Sequence, residues 1–227
     1  MTAQSAPVGP AYDTGASSRL LWEAYGKSGR AQRLLAAARP YIARFDRVMP
    51  YMPDQGRVLD IGCGNGLLLT LAHAHAHLRE AVGIDVNARA LAGARSMAAR
   101  QGAPFTFVQA SDPKDWPAGT FDAVLMMDVM HHVPKAARPA LIQAAADRVA
   151  PGGVFVYKDM CGMPFARWVW NQVHDLLLAS QWVQVEPIEH VIGWAKKAGL
   201  HTSVSERYVG AGLYGHELEV FRRPPNA

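Results

Sequence analysis

The sequence predicts a doubly wound α/β fold, in which a mostly parallel sheet ends in an antiparallel hairpin and carries a helical cap. Three observations support this prediction. Apolar, β-branched runs alternate with helical patterns from Arg57 to Lys158, as in βαβ units joined by right-handed crossovers. A turn with three glycines follows the first of these runs. Two β-rich runs near the carboxyl end, separated by a short glycine-rich connection, predict the hairpin.

The predicted elements follow one another through short connections. Pro50, Pro53 and Gly56 separate two N-terminal helices from the first strand. The seven predicted strands are Val58–Ile61, Ala81–Val86, Phe105–Ala110, Ala123–Met127, Val154–Lys158, Thr202–Val209 and Glu217–Arg222. The predicted helices are Ser17–Lys27, Arg30–Val48, Asn65–His77, Ala88–Gln101, Lys135–Val149 and Ile188–Ala198. Pro151-Gly152-Gly153 is expected to turn into the fifth strand, and residues 210–215 to close the hairpin.

The chain is expected to divide into three parts. Residues 1–14, which are rich in proline and glycine, are predicted to form a flexible leader. Residues 15–50 are predicted to form an N-terminal helical cap. Residues 51–227 then form the main domain, with a cap helix inserted at about 160–186, after the fifth strand. Both caps are expected to lie near the carboxyl ends of the strands, where ligands bind in open α/β sheets.

Composition and charge narrow the function classes. The 227 residues carry a net charge of +4, which permits a nucleic-acid partner, but the basic residues are scattered, so such a partner is not expected. No apolar run reaches the length of a membrane span, and no secretory signal is expected. The two distant cysteines, Cys63 and Cys161, fit a reducing cytoplasm. We therefore expect a cytoplasmic protein, and the sequence leaves its oligomeric state open.

The glycine turn, Gly62-Cys63-Gly64-Asn65-Gly66, is the most informative motif. It joins a strand that contains Asp60 to an apolar helix. Glycine permits positive φ and lets a ligand lie against the backbone, and a helix N-terminus favours negative charge. Strand, glycine turn and helix in this order predict a nucleotide-binding corner. The third glycine follows the second by two residues and not three, which differs from the usual nicotinamide dinucleotide pattern.

Four segments in order resemble the class I S-adenosylmethionine-dependent methyltransferases, whose fold is Rossmann-like. They are Asp60–Gly66, Val82–Asp85, Phe121–Val124 and Ala150–Gly153. The resemblance extends over about Arg57–Arg222, and the terminal hairpin is part of it. It implies that the protein is a transferase that uses S-adenosylmethionine as its cofactor.

The resemblance also suggests how the cofactor is held. The glycine turn is expected to receive the methionine end, with Asp60 near it. Asp85 ends the second strand, where a carboxylate can accept hydrogen bonds from the ribose hydroxyls, and Val86 lies beside it. The alternative for Asp85 is a structural acid at the strand end or a helix cap. Asp128, after the fourth strand, is expected to border the cofactor.

The loop after the third strand is expected to recognise the adenine. Ser111 stands where the family usually has an acid, and Asp112 follows one residue later. This departure leaves open which of the two contacts the exocyclic amine. Asp112 is our choice, and the alternative is a simple turn cap.

Three residues are candidate proton acceptors for methyl transfer. His131 belongs to the segment Met126–Pro134, which is expected to face the reacting methyl group. Histidine titrates near neutral pH and suits this role, although the histidines of such a segment can also merely pack or cap. Asp159, at the end of the fifth strand, and His174, in the cap helix, are the rival candidates.

The segment of about 160–186 is expected to contact the acceptor. It contains three tryptophans, including Trp168, and aromatic side chains suit an apolar or aromatic substrate. Arg167 and Asn171 share one helical face with His174, where they could orient a polar group of the substrate. Core filling by Trp168 and simple solvent exposure of the polar face are the alternatives.

No metal site is expected. His73, His75 and His77 alternate in the first helix of the main domain, and His73 and His77 share a face. No cysteine or carboxylate joins them nearby in sequence, so a solvated helix end explains them better than a metal does. Cys63 is small enough to pack inside the glycine turn and needs no nucleophilic role.

The sequence therefore predicts methyl transfer to a small apolar or aromatic metabolite, with an oxygen acceptor in a bacterial biosynthetic pathway as the first choice. Methylation of carbon in an aromatic ring, or of a lipid- or polyketide-like acceptor, is one alternative. An RNA or protein methyltransferase is another alternative. Against it, the fourth strand is not followed by a motif of the type Asn/Asp-Pro-Pro-Tyr/Phe, since Asp128 precedes Val-Met-His. A non-catalytic binding module that keeps the cofactor fold is the last.

Overall fold

The described chain forms a seven-stranded sheet covered by helices. The computed structural model describes residues 12–26, 29–161, 185–209 and 215–226. The strands are β1 (Arg57–Ile61), β2 (Glu80–Asp85), β3 (Phe105–Gln109), β4 (Phe121–Met127), β5 (Val149–Met160), β6 (His201–Val209) and β7 (Gly215–Arg222). The helices are α1 (Thr14–Ala24), α2 (Arg30–Ala43), α3 (Leu67–Ala76), α4 (Ala88–Gln101), α5 (Arg138–Asp147) and α6 (Ile188–Lys197). The strand order β3-β2-β1-β4-β5-β7-β6 confirms the predicted doubly wound fold.

The central strand β1 lies between β2 and β4 and is parallel to both. Leu59 pairs with Val82 on one side and with Val124 on the other. The chain order of the strands reverses between β1 and β4, which opens a crevice at their carboxyl ends. The glycine turn after β1 and Asp128 after β4 therefore come to the same edge of the sheet.

Apolar side chains fill both faces of the sheet, because neighbouring strand residues point in opposite directions. Val58 belongs to one buried cluster, which includes Leu21 of α1. Leu59, the next residue, belongs to a second cluster with Ile142 of α5 and Val191 of α6. This double coverage explains why β1 reads as a nearly continuous apolar run.

The antiparallel ending of the sheet is confirmed. β7 is inserted between β5 and β6 and runs antiparallel to both, with Glu219 opposite Tyr157 on one side and Ser205 on the other. Of the predicted hairpin turn, residues 210–214 lie outside the described part of the chain, and Gly215 is already the first residue of β7.

Several predicted helix boundaries are wrong by a few residues. The first helix spans Thr14–Ala24 and not Ser17–Lys27, because the side chain of Asp13 caps it by accepting a hydrogen bond from the N–H of Ala16.

Two further boundaries differ because of local backbone conformation. The second helix ends at Ala43 and not at Val48, since Arg44 adopts a left-handed φ of 54° and short 3-10 turns follow. α3 begins at Leu67 and not at Asn65, since Gly66 has a φ of 74°.

The boundary between α5 and β5 also differs from the prediction. α5 ends at Asp147, and β5 begins at Val149, so that the expected turn Pro151-Gly152-Gly153 lies within the strand. The backbone N–H of Gly152 donates to the carbonyl of Arg223 at 3.1 Å. This hydrogen bond extends the pairing of β5 with β7 by one residue beyond the end of β7. The register between β4 and β5 shifts at the same place, as in a β-bulge.

The N-terminal helices pack on the sheet domain through specific hydrogen bonds. The hydroxyl of Tyr25 donates to the carbonyl of Asn65 at 2.5 Å, within the glycine turn. Arg100 of α4 donates to the carbonyl of Ala24 at 2.9 Å. α2 in turn packs on α1. The division into leader, cap and main domain stays a prediction, and residues 1–11 of the expected leader lie outside the described residues.

None of the helices in the described ranges has the length and apolar character that a membrane crossing requires.

Candidate active site

A cavity of about 430 Å³ lies between the glycine turn and α2. Asp60 and Asp128 line it from the strand ends, and α2 contributes Gln32, Leu35 and Arg39. Its volume is within the range of pockets that hold small molecules and cofactors. The crevice predicted at the strand order reversal is therefore present as a cavity.

The glycine turn needs its glycines for two different reasons. Gly62, Gly64 and Gly66 have φ values of 77°, 53° and 74°, which other residues rarely adopt. A Cβ atom on Gly62 would come within 2.3 Å of a methyl group of Val129, so this glycine is also required by close packing. A Cβ atom on Gly64 would meet nothing within 4 Å, so its backbone remains accessible from the cavity. The turn thus fits a ligand that lies against the main chain.

Asp85 ties the second strand to the glycine turn. One carboxylate oxygen accepts from the backbone N–H of Gly64 at 2.7 Å, and the other accepts from that of Asn87 at 2.8 Å. Each oxygen keeps a further lone pair for a ligand hydroxyl. The neighbouring Val86 is 64% exposed and offers an apolar surface beside the carboxylate. The ribose role of Asp85 and the cofactor contact of Val86 stay predictions.

Asp60 is buried at the bottom of the cavity, with a relative exposure of 2%. Burial, and secondarily the nearby charge of Asp85, raise the pKa of the Asp60 carboxyl to about 8. Asp60 is therefore mostly protonated at neutral pH. A cationic group bound in the cavity would favour its ionised form, which suits a contact with an ammonium group.

Asp128 is held by a lysine that the sequence reasoning missed. The Nζ atom of Lys158 lies within 2.9 Å of both carboxylate oxygens of Asp128, and the lysine side chain is fully buried. Burial by itself raises the pKa of Asp128, but the attraction of Lys158, with smaller contributions from His216 and Arg39, outweighs it, so the pKa falls below its usual range. A lysine at the end of the apolar run Val154–Tyr157 was the signal that could have revealed the pair.

Two further cavity residues also escaped the sequence reasoning. Arg39 lines the cavity from α2, and its positive charge acts on Asp128. Tyr25 lines the cavity as well. An arginine on an amphipathic helix normally reads as a solvated side chain, so only the packing of α2 over the glycine turn reveals this placement.

Ser111 is exposed and Asp112 is half-buried. A carboxylate oxygen of Asp112 accepts from the backbone N–H of Lys114 at 3.0 Å, and its other oxygen lies 3.1 Å from the Nζ atom of Lys114. These contacts, the backbone hydrogen bond first, lower the pKa of Asp112. Asp112 therefore caps a short 3-10 turn, which was the alternative considered for it. The adenine contact of either residue stays a prediction.

His131 and Asp159, which the sequence suggested as rivals, lie against each other. The Nδ1 atom of His131 is 2.5 Å from a carboxylate oxygen of Asp159, and both residues are buried. The backbone N–H of His131 donates to the other oxygen at 3.3 Å. Because a carboxylate accepts but cannot donate, Nδ1 carries the proton in the neutral imidazole, and the basic lone pair is on Nε2. The pair has the arrangement of an oriented general base.

Four predicted site residues lie outside the described ranges. They are His174, Arg167, Trp168 and Asn171, all within the expected cap helix. Their roles as proton acceptor and substrate contacts stay predictions.

The alternating histidines of α3 make separate contacts. The ring of His73 meets Phe105 edge-on at 5.4 Å, and His75 lies 3.3 Å from the hydroxyl of Ser17. Within the described ranges, no three metal-binding side chains come together. Burial raises the pKa of the Cys63 thiol, which keeps it protonated and unreactive.

Comparison with known proteins identifies the family. The model of the methyltransferase domain family matches residues 30–203. The ubiquinone biosynthesis O-methyltransferase of Paramagnetospirillum magneticum is 32% identical over 173 residues, which cover 74% of this chain and 61% of that protein. The enzyme of the same name from Cronobacter sakazakii is 36% identical over 99 residues, or 43% of this chain and 39% of that protein. The chain thus spans at most about three-fifths of these relatives.

Solved structures with little sequence identity share the fold. Magnesium protoporphyrin IX methyltransferase from Synechocystis PCC 6803, solved with bound SAH, has a TM-score of 0.64 at 18% identity, covering 92% of this chain and 95% of that one. The N-methyltransferase NodS from Bradyrhizobium japonicum WM9, also in complex with S-adenosyl-l-homocysteine, has a TM-score of 0.63 at 17% identity, covering 94% and 100%.

The doubly wound sheet, the glycine-turn cavity and the family match together define a methyltransferase domain. The chain belongs to the methyltransferase domain family, and its resemblance to the class I S-adenosylmethionine-dependent methyltransferases is confirmed. S-adenosylmethionine is the methyl donor of that family.

Proposed function

We propose that this protein transfers a methyl group from S-adenosylmethionine to a hydroxyl oxygen of a small apolar or aromatic metabolite in a bacterial biosynthetic pathway. The observation that carries the proposal is the His131–Asp159 pair. It lies close to the cavity in the chain, because His131 follows the cavity residue Asp128 by three positions and Asp159 directly follows Lys158, the partner of Asp128. A hydroxyl group is a weak nucleophile until its proton is removed, so oxygen methylation gains most from such a base. The names of the two curated relatives, both O-methyltransferases, support the same choice.

The residues of the cavity fit the donor. The accessible backbone at Gly64 and the carboxyl groups of Asp60 and Asp85 would hold it, and Arg39 would balance its carboxylate. Bound there, S-adenosylmethionine supplies a methyl group activated by its sulfonium charge. The protein would then act mainly by holding the acceptor oxygen in line with the methyl group, since proximity and orientation can supply a large part of the reduction in the activation barrier.

In the proposed reaction, His131 accepts the hydroxyl proton at Nε2 as the oxygen attacks. Asp159 keeps the proton of His131 on Nδ1 and stabilises the imidazolium that forms. The acceptor contacts of Trp168, Arg167 and Asn171, and the cytoplasmic location, are part of the proposal. His174 is the alternative base.

Donor binding is the first test. Calorimetry with S-adenosylmethionine is expected to give one binding site, with affinity reduced at least about tenfold in Asp85→Ala. Asp115→Ala, which removes an exposed acid from the short 3-10 turn of the neighbouring loop, is the matched control and should leave the donor affinity unchanged. A protein that binds no donor in this assay would end the proposal.

The acceptor atom is tested by methyl incorporation into a panel of hydroxylated aromatic compounds. Oxygen methylation removes a phenolic hydroxyl, whereas carbon methylation keeps it, so mass spectrometry after acetylation separates the two products. Incorporation only into RNA or protein would contradict the small-molecule assignment.

A further inference from the structure

The outer face of α2 carries a concentrated apolar surface. We define this α2 face by Leu34, Leu35, Tyr41, Arg30 and Arg39. The first three are 60%, 67% and 47% exposed. Leu34 and Tyr41 are two turns apart, so they lie above one another on the helix, with Leu35 beside them. Single exposed apolar residues are normal on a protein surface, but three large ones on one 14-residue helix indicate a contact surface.

A neighbouring side chain extends the surface. Trp22 of α1 is 38% exposed, and the guanidinium group of Arg33 lies 3.9 Å from the centre of its ring. Four of the six large exposed hydrophobic residues in the described ranges therefore belong to α1 and α2.

The charge of α2 has one sign. The helix contains three arginines and no acidic residue. Arg30 and Arg39 are exposed, and in the described part of the chain neither forms an ion pair with an acidic side chain within 4.0 Å. An exposed apolar stripe flanked by unpaired cations is the pattern of a helix that lies in the interface of an anionic bilayer.

We infer that the α2 face docks the protein on an anionic lipid surface. The apolar side chains would enter the headgroup region, and Arg30 would pair with lipid phosphates while its stem stays in apolar contact. Arg39, which the proposed function assigns to the donor carboxylate, would add to the positive potential of this face. A second copy of the chain fits this face poorly, because a two-fold contact through α2 would bring like charges together. A nucleic acid fits poorly too, because it would leave the leucines without an apolar partner.

The position of the face adds a consequence that rests on the proposed function. Leu35 and Arg39 belong to the α2 face and also line the cavity. Docking through α2 would therefore place the cavity beside the lipid. The methyl acceptor would be an apolar hydroxylated molecule that partitions into a membrane.

Vesicle flotation tests the inference with the full chain. We expect it to float with vesicles that contain about one-third phosphatidylglycerol and to stay in solution with phosphatidylcholine alone. Leu34→Glu combined with Tyr41→Glu should lower the fraction of protein bound to vesicles at least about tenfold, because two apolar contacts become anionic. Neither residue lines the cavity, so the donor site is left intact. Val209→Glu is the control, because it places a glutamate at an apolar residue that is 41% exposed and lies outside the α2 face. This variant should bind the vesicles like the wild type.

Two further measurements separate this inference from the proposed function. Calorimetry with S-adenosylmethionine should give the same affinity for the double variant as for the wild type, which also shows that the variant is folded. Gel filtration should show the same size for both. The inference is overturned if the wild type ignores the anionic vesicles, if the double variant binds them equally well, or if the double variant dissociates a dimer.

Discussion

The Nζ atom of Lys158 lies 2.8 and 2.9 Å from the two carboxylate oxygens of Asp128, at the edge of the cavity. The two residues are also joined by a backbone hydrogen bond, in which the N–H of Asp128 donates to the carbonyl of Lys158 at 2.8 Å. Asp128 also has a φ of 56°, which is uncommon for a residue other than glycine. The pair therefore fixes the chain as it leaves β4, just before His131.

Replacing Lys158 with methionine should destabilise the protein by about 3–5 kcal/mol, because a largely buried carboxylate loses its partner. Urea denaturation at pH 7 measures the change. The double variant Lys158→Met/Asp128→Asn removes both charges and should recover a large part of the loss. Equal stability of the single and double variants would show that the ion pair has no such role.

Asp60 should contribute a loss of stability as the pH rises in the protein without ligand. Its pKa is about 8 in the folded protein and 3.8 in the unfolded chain. Between these values the folded state holds a proton that the unfolded chain has released, so raising the pH favours unfolding. The slope for this one group approaches about 1.4 kcal/mol per pH unit.

Urea denaturation at pH 5, 6 and 7 isolates this effect. Asp60→Asn should flatten the pH dependence of the unfolding free energy relative to the wild type. Asp112→Asn is the matched control, because the pKa of Asp112 is lowered and its titration lies below this range. A wild-type slope retained in Asp60→Asn would mean that Asp60 is ionised in the folded protein.

Gly62→Ala should be more damaging than Gly64→Ala. Both positions have positive φ, which costs roughly 1–2 kcal/mol for alanine. Only at Gly62 does the new Cβ atom overlap another group, the side chain of Val129 at 2.3 Å, which adds about 1–3 kcal/mol. Thermal denaturation of the two variants compares them directly, and similar melting temperatures would refute the close packing at Gly62.

His131→Ala should lower the methyl transfer rate by roughly 10²–10⁴-fold while donor affinity stays unchanged. Asp159→Asn should also lower it, because an amide can donate to Nδ1 and so place the imidazole proton on Nε2. Single-turnover rates as a function of pH make the measurement, with His132→Ala, the exposed neighbour, as the control. A pH–rate profile unaltered in His131→Ala would transfer the role to another base, with His174 as the next candidate.

Much of the sheet could be predicted from local patterns. The run Val58–Ile61 followed by the glycine turn signals a parallel strand at a ligand-binding corner, because only glycine meets its φ and packing requirements. The boundaries that were wrong depended on single backbone conformations, such as that of Arg44, or on pairing between distant strands, as at Gly152. Local propensity carries no information about such pairing.

The sequence by itself determined the fold class and the family, since these follow from strand–helix alternation and from glycines at fixed spacing, and the same glycines predict the position of the donor site. Only the tertiary structure decided which side chains meet. It paired Asp159 with His131 across 28 positions of sequence, Lys158 with Asp128 across 30, and placed Arg39 over the glycine turn. The physical reason is that charge pairing and burial depend on distances in space, which the packing of strands and helices sets and which no local pattern encodes.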